Sequence, residues 1–199
     1  KADWILTAHH ADDNIETVLM NFFKGTGISG LRGIPEKNDR IVRPLLGIRK
    51  AQLLDFAKTT DLHWVEDSSN VSDKYSRNYF RNQLIPLVGQ LYPQAEENIL
   101  SNISRFSEVE MIYQQAIEQF KKKLIEQRGS EFYIPILRLS QQNPLNTIVY
   151  ELTKDFGFSA AQSKEVIKLV DSESGKMIQS ATHRIIRHRK WLVISTLEQ

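Results

Sequence analysis

The chain has 199 residues, of which 41% are hydrophobic, and it contains no cysteine. The length suits one large or two small globular domains, and the lack of cysteine excludes disulfides, thiolate metal sites and cysteine nucleophiles. No apolar run approaches the roughly 20 residues of a membrane span and no signal peptide opens the chain, so we expect a cytoplasmic protein without a membrane partner. A formal charge of +2 does not by itself indicate nucleic-acid binding.

The chain opens with a predicted strand and helix. Residues 3–8 form an apolar run typical of a strand buried on both faces. Apolar residues at three- and four-residue spacing from Ile15 to Phe23 predict a helix that ends near Gly25. Because the first strand resembles an interior strand, we expect its pairing partners to lie before residue 1, and an exposed edge at residues 3–8 would favour a homodimer.

A group of polar residues lies between this strand and this helix. In open α/β sheets, ligands bind at the carboxyl ends of strands, close to helix N-termini. Asp13 and Glu16 are three residues apart, so both carboxylates lie on one helix face and could hold one cation. The other candidates for phosphate or metal contact here are His9, His10 and Asp12.

The next predicted elements are a glycine-rich loop, a strand and a helix. Gly25, Gly27 and Gly30 match the spacing of a dinucleotide-binding motif, but they follow a helix rather than a strand, which disfavours that interpretation. Residues 40–46 form a second predicted buried strand, and residues 49–60 show helical periodicity.

A polar loop over residues 64–76 leads into a helix that carries two arginines. Arg77 and Arg81 are four residues apart and project together, an arrangement that suits a phosphate or pyrophosphate. An equally good interpretation is a structural ion-pair network with Glu66 and Asp67.

The second half of the chain begins with a long helix. From Pro93 the apolar positions alternate three and four apart, which predicts a helix of about 35 residues. Residues 131–139 then alternate like a strand, and Asn143-Pro144 and Ser159 are predicted to begin two helices.

Three strands, near residues 177–181, 184–187 and 191–195, are predicted to complete a small α+β module, the last two as a hairpin. The hairpin carries the densest positive cluster of the chain. We favour contact with a nucleic-acid backbone, although exposed cations on an edge strand also discourage aggregation. The candidate residues for this contact are Arg184, Arg187, Arg189 and Lys190.

Several of these motifs, in consistent order over residues 1–90, resemble those of the tRNA(Ile)-lysidine synthetases of the ATP-pyrophosphatase group, or PP-loop family. The matching segments are His9-His10-Ala11-Asp12-Asp13-Asn14-Ile15-Glu16-Thr17, Lys24-Gly25-Thr26-Gly27-Ile28-Ser29-Gly30-Leu31, Arg43-Pro44-Leu45-Leu46, and Glu66-Asp67-Ser68-Ser69-Asn70 with Arg77, Asn78 and Arg81.

The resemblance implies an α/β fold in three parts. Residues 1–90 would be the C-terminal part of a Rossmann-like parallel-sheet domain, similar to the adenine nucleotide α-hydrolases. Residues 91–128 would be a linker helix, and residues 129–199 a small α+β domain that binds tRNA.

The resemblance also implies an ATP-dependent ligase that attaches free L-lysine to the wobble cytidine of an isoleucine tRNA, with ATP and Mg²⁺ as cofactors. Asp13 and Glu16 would be the catalytic pair that holds the lysine ammonium. The residues implied to bind substrate or ATP are His9, His10, Asp12, Arg77, Asn78 and Arg81.

One part of the family pattern is missing. Nothing in the chain matches the phosphate loop Ser-Gly-Gly-x-Asp-Ser, so we expect this stretch alone not to turn over. Two alternatives remain open: a metal-dependent phosphohydrolase that uses His9, His10, Asp12 and Asp13, and a non-catalytic tRNA-binding fragment. A related tRNA thiolase is disfavoured because the chain has no cysteine.

Overall fold

The computed structural model describes residues 3–65 and 76–197. The chain separates into two compact units, Lys1–Ile112 and Tyr113–Gln199, and the division falls inside one long helix. The described residues are α/β, with a three-stranded and a five-stranded sheet. Within residues 3–65 and 76–197, no helix is both long enough and apolar enough to cross a membrane.

The first unit contains a small mixed sheet. Strands β1 (Ile5–Leu6), β2 (Lys37–Asn38) and β3 (Ile41–Val42) lie in the order β1-β3-β2. β1 pairs with β3 in parallel, and β2 pairs with β3 antiparallel. The parallel pair is short because the chain turns immediately after it: Pro44 follows, and the Leu46 N–H bonds back to the Arg43 carbonyl. The predicted strand over residues 40–46 is therefore mostly wrong.

The predicted first strand exists but is not buried. Ile5 and Leu6 are 57% and 69% exposed. Successive side chains point to opposite faces of a sheet, so their exposure means that neither face is covered over β1 in the described part of the chain. β1 is also an edge strand there, with β3 as its strand partner.

The helices that begin in this unit are α1 (Ala11–Lys24), α2 (Ile28–Leu31), α3 (Lys50–Thr59), α4 (Ser76–Tyr79), a π-helical turn (Phe80–Leu84), α5 (Ile85–Leu91) and α6 (Ala95–Leu124), which continues into the second unit. α1, α3 and α6 follow the predicted periodicity, whereas α2 forms where a glycine-rich loop was predicted. The prediction that α1 ends at Gly25 is confirmed, because Gly25 is its C-cap at φ 85°. Ala11, Ile15 and Val18 of α1 are buried, so this helix lies against the core of the unit.

The second unit consists of an antiparallel sheet and helices packed against it. Its strands are β4 (Glu126–Arg128), β5 (Glu131–Pro135), β6 (Met177–Gln179), β7 (His183–His188) and β8 (Trp191–Thr196), in the order β4-β5-β8-β7-β6. Its further helices are α7 (Ile136–Ser140), α8 (Leu145–Thr153), a 3₁₀ turn (Lys154–Phe156) and α9 (Ala160–Val170). The fully buried Ile134, Ile185, Leu192 and Ile194 belong to one core with residues of α8 and α9.

Three predictions for this unit were wrong in detail. The long helix ends at Leu124, because Glu126–Arg128 leave it to pair with β5 across the turn at Gly129, whose φ is +61°. The predicted strand over residues 131–139 stops at Pro135, and Ile136–Ser140 form α7, which places Leu139 in the core. The hairpin is confirmed, but β7 lies between β8 and β6, so the expectation of an edge strand there fails.

Candidate active site

The N-terminus of α1 is capped by the predicted polar residues. The Asp13 N–H donates to His10 Nδ1 at 3.4 Å, and the His10 N–H donates to Asp13 Oδ2 at 3.0 Å. This reciprocal pair is a capping box, which satisfies two backbone donors that the helix itself leaves free. One oxygen of Asp13 is therefore structural.

Asp13 and Glu16 meet at a single guanidinium. Arg81 donates from Nε to Glu16 Oε1 at 2.6 Å and from Nη2 to Glu16 Oε2 at 3.0 Å, and Nη2 also lies 3.3 Å from Asp13 Oδ1. The side chain of Glu16 is only 2% exposed, so this bidentate contact compensates a buried charge. The hydrogen bond to Glu16, together with the two carboxylates, raises the pKa of Arg81 above its usual range, against the effect of burial.

Arg77 also contacts α1, but its contact with Glu16 is longer than that of Arg81. Its Nη2 donates to Thr17 Oγ1 at 2.8 Å, and its Nε lies 3.6 Å from Glu16 Oε2. The prediction that Arg77 and Arg81 project together is thus confirmed, and both face α1. Their alternative partners Glu66 and Asp67, and the motif residue Asn70, lie outside the described residues.

A second ion-pair cluster begins at Asp12. Its Oδ2 accepts from the Lys50 N–H at 2.7 Å, and its Oδ1 accepts from Arg49 Nε at 3.2 Å. Burial acts to raise the pKa of Asp12, but the Lys50 N–H and the Arg49 guanidinium outweigh it and hold that pKa below its usual range. Arg49 also contacts a carboxylate oxygen of Glu96 at the start of α6.

Several of these groups, though not Asp13 or Arg77, line a cavity of about 370 Å³ within the first unit. A cavity of this size falls within the range of small-molecule sites. The polar residues that line it are His10, Asp12, Glu16, Arg49, Lys50, Arg81 and Glu96. Since both carboxylates and cations line one cavity, the lining matches a ligand that carries charges of both signs, such as an amino acid.

The remaining predicted residues of the first unit lie close by. His9 Nδ1 is 3.0 Å from Thr7 Oγ1, and Asn78 is buried at the end of a helix that contacts α1. Among residues 3–65 and 76–197, no three His, Asp or Glu side chains are grouped to hold a metal ion. The described residues therefore contain no cluster of metal ligands of the kind that a metal-dependent phosphohydrolase needs.

The four predicted tRNA-contacting residues are divided by the geometry of the hairpin. Arg189 and Lys190 are exposed at its turn. Arg184 and Arg187 lie on opposite faces of β7: Arg184 Nε donates to Ser195 Oγ at 3.0 Å, and Arg187 Nε donates to the Val170 carbonyl at 3.3 Å. Contact of these residues with tRNA stays a prediction.

Sequence reasoning missed Arg49, Lys50 and Glu96. The first two were taken only as the start of a helix, and Glu96 lies in the predicted long helix, where it was given no role. A usable signal was present, because an Arg-Lys pair at a helix N-terminus is opposed to the helix dipole and therefore calls for nearby anions. The identity of those anions depends on packing across more than 35 residues of sequence.

Two family models match the chain. Residues 1–88 match a family described as PP-loop domain, and residues 127–197 match one described as TilS substrate binding domain.

Curated relatives match over nearly the whole chain. A tRNA(Ile)-lysidine synthase of Parabacteroides distasonis is 38% identical over 96% of this chain and 43% of that protein. The corresponding protein of Bacteroides thetaiotaomicron is 33% identical over 97% of this chain and 44% of its own length. A third, from Coxiella burnetii, is 28% identical over 96% of this chain and 44% of that protein. The chain thus spans less than half the length of these relatives.

The match over residues 1–88 makes the first part of the chain similar to PP-loop domains, which agrees with the α/β fold of the first unit. Both family models and the curated relatives agree that the chain resembles the tRNA(Ile)-lysidine synthases. The family resemblance found in the sequence motifs is confirmed.

Proposed function

We propose that the protein containing this chain is an ATP-dependent ligase that joins free L-lysine to C2 of the wobble cytidine of an isoleucine tRNA. The observation that carries this proposal is the order of the two family matches on one chain, PP-loop domain first and TilS substrate binding domain second. A tRNA substrate implies that the enzyme acts in the cytoplasm.

The reaction implied by the family has two steps. ATP supplies an adenylyl group to O2 of the cytosine and pyrophosphate leaves. The ε-amine of lysine then attacks C2, a C–N bond forms, and the C–O bond to AMP breaks. The amine must lose a proton during this attack, since an ammonium has no lone pair.

Asp13 and Glu16 are the proposed holders of the lysine ammonium. Glu16 lines the cavity, and Asp13 Oδ1 has only the longer 3.3 Å contact with Arg81, so this oxygen is the best remaining acceptor of the pair. Arg81 acts as the positioning residue, because its bidentate contact fixes the orientation of Glu16. A carboxylate in contact with the ammonium could also take its proton as the C–N bond forms.

The opposite end of lysine carries an α-carboxylate, which needs a cation. Arg49 and Lys50 lie on the same cavity wall and are our candidates for that contact. The α-amino group would then face Asp12 or Glu96, so that both charged ends of the amino acid are matched.

Mg²⁺ fits the described residues poorly. The carboxylates of Asp12 and Asp13 already accept from backbone N–H groups and guanidinium groups. No step is therefore assigned to Mg²⁺ here; in this proposal it would enter bound to the phosphates of ATP.

The test is incorporation of labelled lysine into isoleucine tRNA by the whole protein. Asp13→Asn should lower incorporation at least about a hundredfold and raise the KM for lysine, because the ammonium loses a charged partner. Asp55→Asn is the matched control, since Asp55 is exposed on α3 and away from the cavity lining.

Two results would contradict the proposal. If both variants incorporated lysine as the wild type does, Asp13 would have no role in lysine binding. If the wild-type protein bound tRNA but never incorporated lysine, the tRNA-binding alternative would replace the ligase.

A further inference from the structure

The sheet of the second unit has one face covered by helices and one that is more open. Ile134, Ile185 and Leu192 point towards α8 and α9 and are fully buried. Because side chains alternate along a strand, their neighbours point to the opposite face. We call this the outer face, and it carries Arg128, Tyr133, Met177, Arg184, Ile186 and Trp191.

The outer face contains a planar cation in contact with two aromatic rings. The guanidinium carbon of Arg128 lies 4.5 Å from the centroid of Tyr133 and 4.5 Å from that of Trp191. The two rings are 6.0 Å apart and nearly perpendicular. Glu126 Oε2 accepts from Arg128 Nη2 at 2.7 Å, which further fixes the side chain. The guanidinium is therefore oriented before any ligand arrives.

This cluster is still accessible. The side chain of Arg128 keeps 48% of its surface exposed, and Met177 on the same face is 52% exposed. About half of the Arg128 side chain is therefore available to a ligand.

Positive charge surrounds the cluster. His188 pairs with Trp191 at the end of the hairpin, so the exposed turn residues Arg189 and Lys190 are next to Trp191 in the chain. The cations on the outer face and the turn are Arg128, Arg184, Arg189 and Lys190, and the carboxylates beside them are Glu126 and Glu131. The balance favours a polyanion.

We propose that the outer face binds an unpaired nucleotide of the RNA substrate, with its base stacked on the guanidinium of Arg128 and its phosphate near Arg189 and Lys190. Unpaired bases stack on aromatic rings and arginine planes, whereas a paired helix offers mainly its backbone. The inference deepens the proposed function and depends on it, because it takes the substrate to be a tRNA. It adds Arg128, Tyr133 and Trp191 to the residues that the sequence indicated.

The test compares binding of two RNA probes to the 199-residue chain. One probe is an RNA hairpin with an unpaired loop, and the other is a fully paired duplex of similar length. Arg128→Lys keeps the charge but removes the plane, so it should weaken hairpin binding about five- to hundredfold and leave duplex binding nearly unchanged. The dependence of affinity on salt should not change, since the number of cations is the same.

Three further variants keep the result interpretable. Tyr133→Phe retains the ring and should bind as the wild type does, whereas Tyr133→Leu removes the ring and should follow Arg128→Lys. Lys164→Gln removes one exposed cation from α9, a helix packed on the other face, and serves as the control. Circular dichroism checks that each variant is folded. In addition, photoreactive uridines in the hairpin loop should crosslink to Tyr133 or Trp191.

The inference is overturned if Arg128→Lys and Tyr133→Leu fold and bind the hairpin as tightly as the wild type. It is also overturned if both probes lose affinity equally, or if the loop crosslinks only elsewhere. The proposed ligase function survives each of these results, because it is decided separately by lysine incorporation in the whole protein.

Discussion

Glu16 is a buried carboxylate on a helix that also begins with two aspartates, so its charge has to be compensated nearby. The spacing of Asp13 and Glu16 predicted that both lie on one helix face, and their shared contact with Arg81 confirms it. The partner itself was beyond prediction. Arg81 is 65 residues away in sequence, and local patterns carry no information about which side chains packing brings together.

At the scale of single residues, Arg81 and Arg77 should differ sharply in their contribution to stability. Arg81→Ala leaves Glu16 buried without its bidentate partner and should lower the free energy of unfolding by about 2–4 kcal/mol. The value stays near the lower part of the range for buried pairs because the Arg81 side chain is 25% exposed. Arg77→Ala should cost about 1 kcal/mol or less, since its contact with Glu16 is 3.6 Å long and its side chain is 39% exposed.

Urea unfolding of both variants measures this difference. A double-mutant cycle with Glu16→Gln separates the pair interaction from the loss of packing. Equal losses for the two arginines, or a coupling energy near zero between Glu16 and Arg81, would contradict the assignment.

At the scale of helices and strands, the sequence correctly predicted the elements whose ends are set by capping residues close by in the chain. Ser159 begins α9 through a capping box with Gln162, and Gly25 ends α1, as expected. The failures are elements whose ends are fixed by partners far away in sequence. Glu126–Arg128 continue the helical pattern of charges but become a strand because β5 is available to pair with them.

Asp12 of α1 accepts hydrogen bonds from Arg49 and Lys50 at the start of α3. These contacts should make the free energy of unfolding depend on pH in the acid range. The pKa of Asp12 in the folded state lies below its ordinary value of 3.8, so the folded state binds fewer protons than the unfolded state in the pH window just below that value. The stabilisation is present above about pH 4 and is lost as the pH falls through the folded pKa. Asp12→Asn should therefore be less stable than the wild type at neutral pH and lose less stability on acidification.

Denaturant unfolding at a series of pH values between about 3 and 7 tests this expectation. Asp55→Asn on the exposed side of α3 is the control and should keep the wild-type pH dependence. Parallel curves for the wild type and Asp12→Asn would show that the Asp12 carboxylate is not coupled to folding.

At the scale of the whole molecule, the order of elements was predictable but the burial of the first strand was not. A run of apolar residues predicts a buried strand whether or not other strands and helices cover that strand in the folded chain. Ile5 and Leu6 point to opposite faces of the sheet, and both are exposed, so neither face is covered over β1 in the described part of the chain. Predicted division of the chain into a domain, a linker and a second domain stays a prediction.

The exposed side of β1 leads to the expectation that the 199-residue chain self-associates. The N–H groups of Ile5 and Thr7 bond to β3, so by alternation the N–H of Leu6 points to the other side, beside an apolar side chain that is 69% exposed. Such an edge can pair with a second copy of itself.

Leu6→Lys should reduce dimer formation, because a charged side chain would have to be buried in the pair. Leu91→Lys changes an equally exposed leucine on α5 and should leave association unchanged. Sedimentation velocity over a range of concentrations separates the two variants; a wild-type chain that stays monomeric throughout, or a Leu6→Lys chain that still dimerises, would contradict pairing through β1.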